Sequence, residues 1–220
     1  MNDLTLLIPA KNESESLPIV LEEIKNYELK KLVVMEEEDK TTFNSIKGFD
    51  CDVLIQKNKG YGSAIIEGIN KIDTKYLCIF NADGSFDPKE LESMYFKGKS
   101  NNFVFGSRYE KDAGSDDDTF LTLIGNYFFS LFVKIFFKSK LNDILYTYIL
   151  GKTESFKNLK LLEKDFRICT EIPINIIDNK ISYTYNSSHE RSRLKGIKKV
   201  NEFRDGFKIL MYIIIRIFKN

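Results

Sequence analysis

The chain has 220 residues, 43% of them hydrophobic, enough for one large core with at most a short appendage. Its 33 basic and 32 acidic residues leave a net charge of +1, which excludes a whole-surface affinity for nucleic acid or another acidic polymer. The charge is unevenly spread: residues 191–220 carry nine Lys or Arg against Glu202 and Asp205, a net +7 that leaves −6 for the remainder, so an anionic partner is expected at the C-terminal end. Three cysteines, Cys51, Cys78 and Cys169, are too few and too far apart for a disulfide framework or a zinc site, and read as buried thiols of a reducing compartment. The stretch before Pro9 lacks the basic region and cleavage site of a signal peptide, so a cytoplasmic location is expected.

Short apolar runs at residues 4–9, 31–35, 53–56, 76–81 and 103–107 alternate with helical patterns, which predicts an α/β fold with a mostly parallel central sheet flanked by helices. The first helix is expected to start near Ser16, with Pro18 in its first turn and Leu17, Leu21 and Ile24 on one face. Asp87-Pro88-Lys89-Glu90 combines an N-cap, an early proline and a capping-box glutamate, and predicts another helix start. Two later stretches, 120–137 and 207–218, are almost wholly apolar. The first carries Asn126 and Lys134 at the lower limit of spanning length and the second is too short, so each is either a docked helix or one lying in a membrane interface. No repeat or low-complexity linker divides the chain, and residues 206–220 are expected to form a C-terminal amphipathic segment after one domain at 1–205.

Ligands of such sheets sit beyond the carboxyl ends of the strands, so the residues that follow each strand are the candidates. They are Pro9-Ala10-Lys11-Asn12-Glu13, Glu36-Glu37-Glu38-Asp39, Asn81-Ala82-Asp83-Gly84-Ser85 and Gly106-Ser107-Arg108-Tyr109. Asp83 stands where a strand meets a tight glycine turn, a place from which a carboxylate can share a divalent ion with phosphates. Asp87 is better explained as a helix cap, and His189, in a polar stretch, as a surface residue.

Taken in order, these segments resemble family 2 glycosyltransferases. Pro9 to Glu13 is similar to the Pro-x-x-Asn-Glu opening of that family, and Asn58-Lys59-Gly60-Tyr61-Gly62-Ser63-Ala64 to its Asn-x-Gly-x-Gly-x-Ala segment. Asn81-Ala82-Asp83 resembles the Asp-x-Asp motif, and Gly106-Ser107-Arg108-Tyr109 the Gly-Ser-Arg-Tyr of the dolichyl-phosphate mannose synthase branch. Arg193-Leu194-Lys195-Gly196-Ile197-Lys198-Lys199 follows that branch's Arg-x-x-Gly-x-Ser-Lys, with Lys198 in the serine place.

The resemblance implies a GT-A type nucleotide-binding fold and inverting, metal-dependent transfer of a hexose from a nucleotide diphosphate sugar, GDP-mannose or UDP-hexose, to a polyprenyl or dolichyl phosphate. By the same resemblance Pro9, Ala10, Asn12, Glu13, Glu36, Lys59, Gly60, Gly62 and Ala82 bind the nucleotide, and Asp83 with Asn81 holds Mg2+ or Mn2+. Asp83 and Arg108 serve catalysis, and Arg108, Arg193 and Lys199 meet phosphates, Arg being suited to bidentate phosphate recognition. A phosphate acceptor needs no general base; a sugar hydroxyl of a glycan or glycolipid would, and Glu171 is then the candidate. The expected partners are the nucleotide sugar, a lipid-linked acceptor and a membrane surface touched peripherally, without nucleic acid.

This chain departs from the family where Glu36-Glu37-Glu38 replaces Asp-Asp-Gly-Ser. Asn81 removes one charge from the metal motif, and Tyr146-Thr147-Tyr148 replaces the Ser-Gly-Phe that follows the aspartate matched by Asp143. A non-catalytic nucleotide-sugar-binding module is the rival that these departures suggest. A sugar-1-phosphate nucleotidyltransferase is disfavoured, because residues 9–13 lack the glycine-rich phosphate loop that it requires.

Overall fold

The computed structural model describes residues 1–196 and 199–219; Lys198, at the serine place of the basic motif, lies outside the described residues. Seven strands form one sheet: β1 (Leu4–Ala10), β2 (Lys30–Met35), β3 (Asp52–Ile55), β4 (Tyr76–Ile79), β5 (Phe103–Ser107), β7 (Ile149–Lys152) and β8 (Tyr183–Ser187). Their spatial order is β3-β2-β1-β4-β7-β5-β8, and β6 (Gly114–Ser115) pairs with β9 (His189–Glu190) in a separate short ribbon. The five expected strands all form. What the apolar runs did not disclose are β8, at the sheet edge, and β7, which inserts antiparallel between β4 and β5 in an otherwise parallel sheet.

Both faces of the sheet are buried, as parallel strands require. Along β1 the side chains alternate: Leu6 and Ile8 join one core with α1 (Leu17–Glu23) and α4 (Leu91–Gly98). Leu7, between them, joins the other, with α3 (Tyr61–Lys71), α5 (Phe120–Phe137), α7 (Ile168–Asp178) and α8 (Glu202–Lys219). Two short helices, α2 (Lys40–Ser45) and α6 (Thr153–Asn158), complete the layers.

Helix α1 begins after Ser16 with a proline in its first turn, as expected. Asp87 caps by accepting from Lys89 N, but it opens a 3-10 turn, Pro88–Glu90, that leads into α4. Glu90 does not close the capping box: its Oε1 accepts from His189 N at 2.9 Å. The expected division at 205/206 falls inside α8, whose Ile209, Tyr212 and Ile213 are part of the main core.

Helices α5 and α8 lie side by side and are apolar on more than the face they bury. Phe120, Leu123, Ile124, Tyr127 and Phe128 are exposed along α5. On α8, Phe203, Phe207, Met211 and Ile215, one turn apart in succession, and Phe218 form a second exposed stripe opposite the buried Ile209 and Ile213. Among the described residues no helix is long and apolar enough to cross a membrane.

Candidate active site

A cavity of about 810 Å³ opens at the carboxyl ends of β1, β2 and β4 and runs to the first turns of α8. The strand-end rule thus finds it. Pro9, Ala10, Glu13, Glu36, Gly60, Asn81, Ala82, Asp83, Arg108, Arg193 and Lys199 all lie on its wall.

At the β1 end, Lys11 Nζ bonds both oxygens of Glu36 at 2.9 and 3.1 Å. Glu13 is buried: its N–H donates to Thr42 Oγ1 at 2.9 Å, its Oε2 accepts from Ser16 Oγ at 2.6 Å, and Lys199 Nζ stands 3.2 Å from its Oε1. Gln56, just after β3, lies on the same cavity wall as Glu36 and donates from Nε2 to Asn58 O at 2.6 Å. At the β4 end, Asp83 Oδ1 accepts from Ser85 N at 3.0 Å and Asp83 Oδ2 is paired with Arg193 Nη1 at 3.1 Å. Asn81 Nδ2 donates to Ser85 Oγ at 3.2 Å.

Four expectations change. Asn12 lies off the cavity in a left-handed conformation, with φ at 52°, and its N–H donates to Asp39 Oδ2 at 2.6 Å. Lys59 is exposed outside the cavity and paired with Glu38 at 2.8 Å. Gly62 is a packing glycine: a Cβ there would come 2.1 Å from Glu163 O, and at Gly60, φ +114°, one would come 2.3 Å from Lys164 O. These glycines let α3 press against residues 163–165, a closeness that only a missing Cβ permits. Glu171 lies off the cavity wall. Its oxygens accept from Leu162 N at 2.9 Å and Glu163 N at 2.9 Å, so it holds the backbone at the start of the segment that meets α3. Burial raises the Glu171 pKa, and the two backbone N–H groups oppose that rise.

Arg108 reaches the cavity, but its guanidinium is taken. Nε and Nη2 fork onto Asp143 at 2.7 and 2.9 Å, Nη1 donates to Glu190 at 2.9 Å, and Asp118 stands 3.6 Å from Nη1. The cation also lies over the ring of Tyr146, 4.7 Å from its centroid. Burial disfavours the charge, yet Asp143 and Glu190 outweigh it and hold the Arg108 pKa well above the ordinary value. The expected phosphate ligand is therefore the keystone of a buried carboxylate cluster.

Residues not expected in the site also line the cavity: Gln56, Tyr61, Asn126, Phe129, Tyr146, Thr147, Glu190 and the α8 residues Phe203 to Leu210. Gln56 ends an expected strand and was within reach of the same rule. The others come from α3, α5 and α8, from the segment before β7 and from β9, whose meeting no local pattern reveals. Cys169 faces the cavity as well, with its thiol pushed up to about 12 by burial.

A divalent ion at Asp83 would find oxygen donors from Asp83 and the Asn81 carbonyl. Among the described residues no group of three or more His, Cys, Asp or Glu is placed to hold a metal. The donor set fits an ion such as Mg2+ or Mn2+ whose coordination comes mainly from substrate phosphates and water.

The fold and site define a GT-A type nucleotide-binding α/β protein. A family model described as glycosyl transferase family 2 matches residues 5–160, and the chain belongs to that family. Uncharacterised glycosyltransferases of Mycobacterium bovis and Mycobacterium tuberculosis are each 32% identical to it over 107 residues, covering 48% of this chain and 48% of theirs. The matched stretch is thus about half the length of these curated relatives. In three dimensions the chain is similar to glucosyl-3-phosphoglycerate synthase from Mycobacterium tuberculosis in complex with phosphoglyceric acid, with a TM-score of 0.74 at 11% identity over 97% of this chain and 79% of that one. The same synthase with Mn2+, UDP-glucose and phosphoglyceric acid gives 0.73 at 12% identity over the same shares. Mannosyl-3-phosphoglycerate synthase from Rubrobacter xylanophilus gives 0.70 at 14% identity, over 98% of this chain and 72% of that one.

Proposed function

We propose that this protein is an inverting hexosyltransferase that moves a sugar from a nucleotide diphosphate sugar, GDP-mannose or UDP-hexose, to a polyprenyl phosphate presented at a membrane surface. The observation that carries this reading is the course of the cavity. It starts at the strand ends, with Glu13, Glu36 and Asp83, and ends between α5 and α8, where Phe129 of α5 and Phe203 and Phe207 of the exposed α8 stripe lie on its wall. A nucleotide suits the first end and a hydrocarbon the second. The UDP-glucose and Mn2+ bound by the similar synthase support a nucleotide-sugar donor and a divalent cofactor.

Glu36, held by Lys11, and Gln56 present polar groups to the base and ribose. Arg193 and Lys199 stand at the cavity wall where the pyrophosphate would lie, and Mg2+ or Mn2+ at Asp83 would neutralise the departing diphosphate. A polyprenyl phosphate, with its second ionisation near pH ~6, arrives mostly dianionic and needs no base. Glu171, turned to the backbone of Leu162 and Glu163, leaves a sugar-hydroxyl acceptor without the base expected for it, which favours the phosphate. Arg204 and Lys208 flank the α8 stripe, so the interface helix joins apolar contact to attraction for anionic lipid, the latter worth about 1 kcal/mol per well-placed cation. We place the protein on the cytoplasmic face as a peripheral membrane enzyme.

The test is transfer of label from GDP-mannose and from UDP-glucose, with Mn2+, to vesicles carrying polyprenyl phosphate, alongside phosphoglycerate in solution. Label is expected in the vesicle lipid, and Asp83→Ala should abolish it. Transfer only to phosphoglycerate would overturn the lipid acceptor, and nucleotide binding without transfer to either would favour the non-catalytic module.

A further inference from the structure

The Asp83–Arg193 contact is built, not incidental. Residues 191–194 are laced to the turn after β4: Arg191 N donates to Ser85 O at 2.8 Å and Leu194 N to Asp83 O at 2.9 Å. The Arg191 guanidinium donates to Phe86 O at 3.0 Å and to Glu23 at 2.9 and 3.2 Å. Leu194 lies against Gly84, φ +81°, so closely that a Cβ there would come 2.3 Å from Leu194 Cδ1. Arg193, between these anchors, is held over Asp83, and the two side chains are only 18% and 11% exposed. With Ser85 N on the other oxygen, both carboxylate oxygens of Asp83 are in use.

We propose that Arg193 is a resident counter-ion of Asp83 that keeps divalent metal out until nucleotide arrives, so that metal and nucleotide enter the site as a coupled pair. The inference rests on the reading of Asp83 as the metal-holding carboxylate. A divalent ion placed on Asp83 Oδ2 would meet the Arg193 charge at close range in a shielded setting, where repulsion between like charges is strong. The backbone on either side of Arg193 is tied down, so only rotation of its side chain away from Asp83 could relieve it. A diphosphate changes the balance: it offers Arg193 a forked anionic partner and brings further oxygens to the metal. Asp83 is then released to the ion while Arg193 stays in place against the phosphates. Binding linkage makes the effect reciprocal, so metal must tighten nucleotide by the factor that nucleotide tightens metal.

The experiment measures Mn2+ binding by the loss of the free-ion electron paramagnetic resonance signal, for the full chain alone and with UDP or GDP. The parent is expected to bind Mn2+ at least tenfold more tightly with the nucleotide it accepts than without. Arg193→Gln should bind Mn2+ alone at least tenfold more tightly than the parent and should lose most of that nucleotide dependence. Arg193→Lys, which keeps the charge, should retain the exclusion, and circular dichroism checks that each variant is folded. Equal Mn2+ affinity of the parent and Arg193→Gln in the absence of nucleotide would overturn the proposal. Asp83→Asn separates the two layers: if it leaves Mn2+ binding intact, the ion lies elsewhere and the reading of Asp83 fails before that of Arg193 is reached.

Discussion

Replacing Arg108 by methionine keeps much of the side chain's reach and removes its charge. Asp143, 1% exposed, would then retain from that residue only the backbone N–H of position 108, at 3.2 Å, and Glu190 would lose its 2.9 Å donor. Removing one partner of a buried pair costs about 3–5 kcal/mol, because the other charge is left without compensation. Against a typical total of about 5–15 kcal/mol this is a large share, and Arg108→Met should show it as a lowered urea midpoint at pH 7 with an unchanged slope. Adding Asp143→Asn to Arg108→Met should recover part of the loss, since the orphaned charge goes with it, so the two changes are strongly non-additive. A phosphate ligand without structural work would behave otherwise: stability near that of the parent, and weakened nucleotide binding. A loss below about 1 kcal/mol, or a double variant no more stable than Arg108→Met, would refute the keystone role.

Gly62→Ala should destabilise by about 1–3 kcal/mol, as overpacking does, because the new Cβ meets backbone atoms of residues 163–165 that cannot rotate away. Thermal melting checks this at roughly 2–4 °C per kcal/mol for a chain of this size, and an unchanged Tm would mean that the 163–165 segment gives way freely. Glu90 supplies a pH test. Its Oε2 is buried without a hydrogen-bond partner, and burial raises its pKa above the usual 4.5. The folded chain therefore holds that proton more tightly than the unfolded chain, and its contribution to stability falls as pH rises through the window that starts near 4.5. Glu90→Gln cannot titrate, so urea midpoints of parent and variant measured from pH 4 to 7 should diverge with that sign; parallel curves would remove Glu90 as the cause.

Local pattern disclosed much of this protein. The alternation of β1, the apolar run that becomes α5 at Phe120–Phe137, the helix start at Ser16 and the cap at Asp87 depend on neighbours two to four residues apart, which a sequence displays directly. Because parallel strands point their carboxyl ends the same way, the residues after β1, β2 and β4 had to meet, and Glu13, Glu36 and Asp83 do share one cavity. Tertiary packing decided the rest. Arg108 finds Asp143 and Glu190 across 35 and 82 residues, and no spacing rule distinguishes those carboxylates from others on the chain. The family resemblance gives Gly60 and Gly62 to the nucleotide, yet their missing Cβ atoms serve contact with residues 163–165, a closeness visible only once that segment is in place. Glu171 was drawn to the backbone it clamps for the same reason: a buried carboxylate goes to the nearest unpaired N–H groups, and which those are depends on how α7 packs. The antiparallel β7, short and flanked by residues from both cores, owes its place to the gap between β4 and β5 that it fills, and the outward stripe of α8 could be told from its inward one only when Ile209 and Ile213 had found the core.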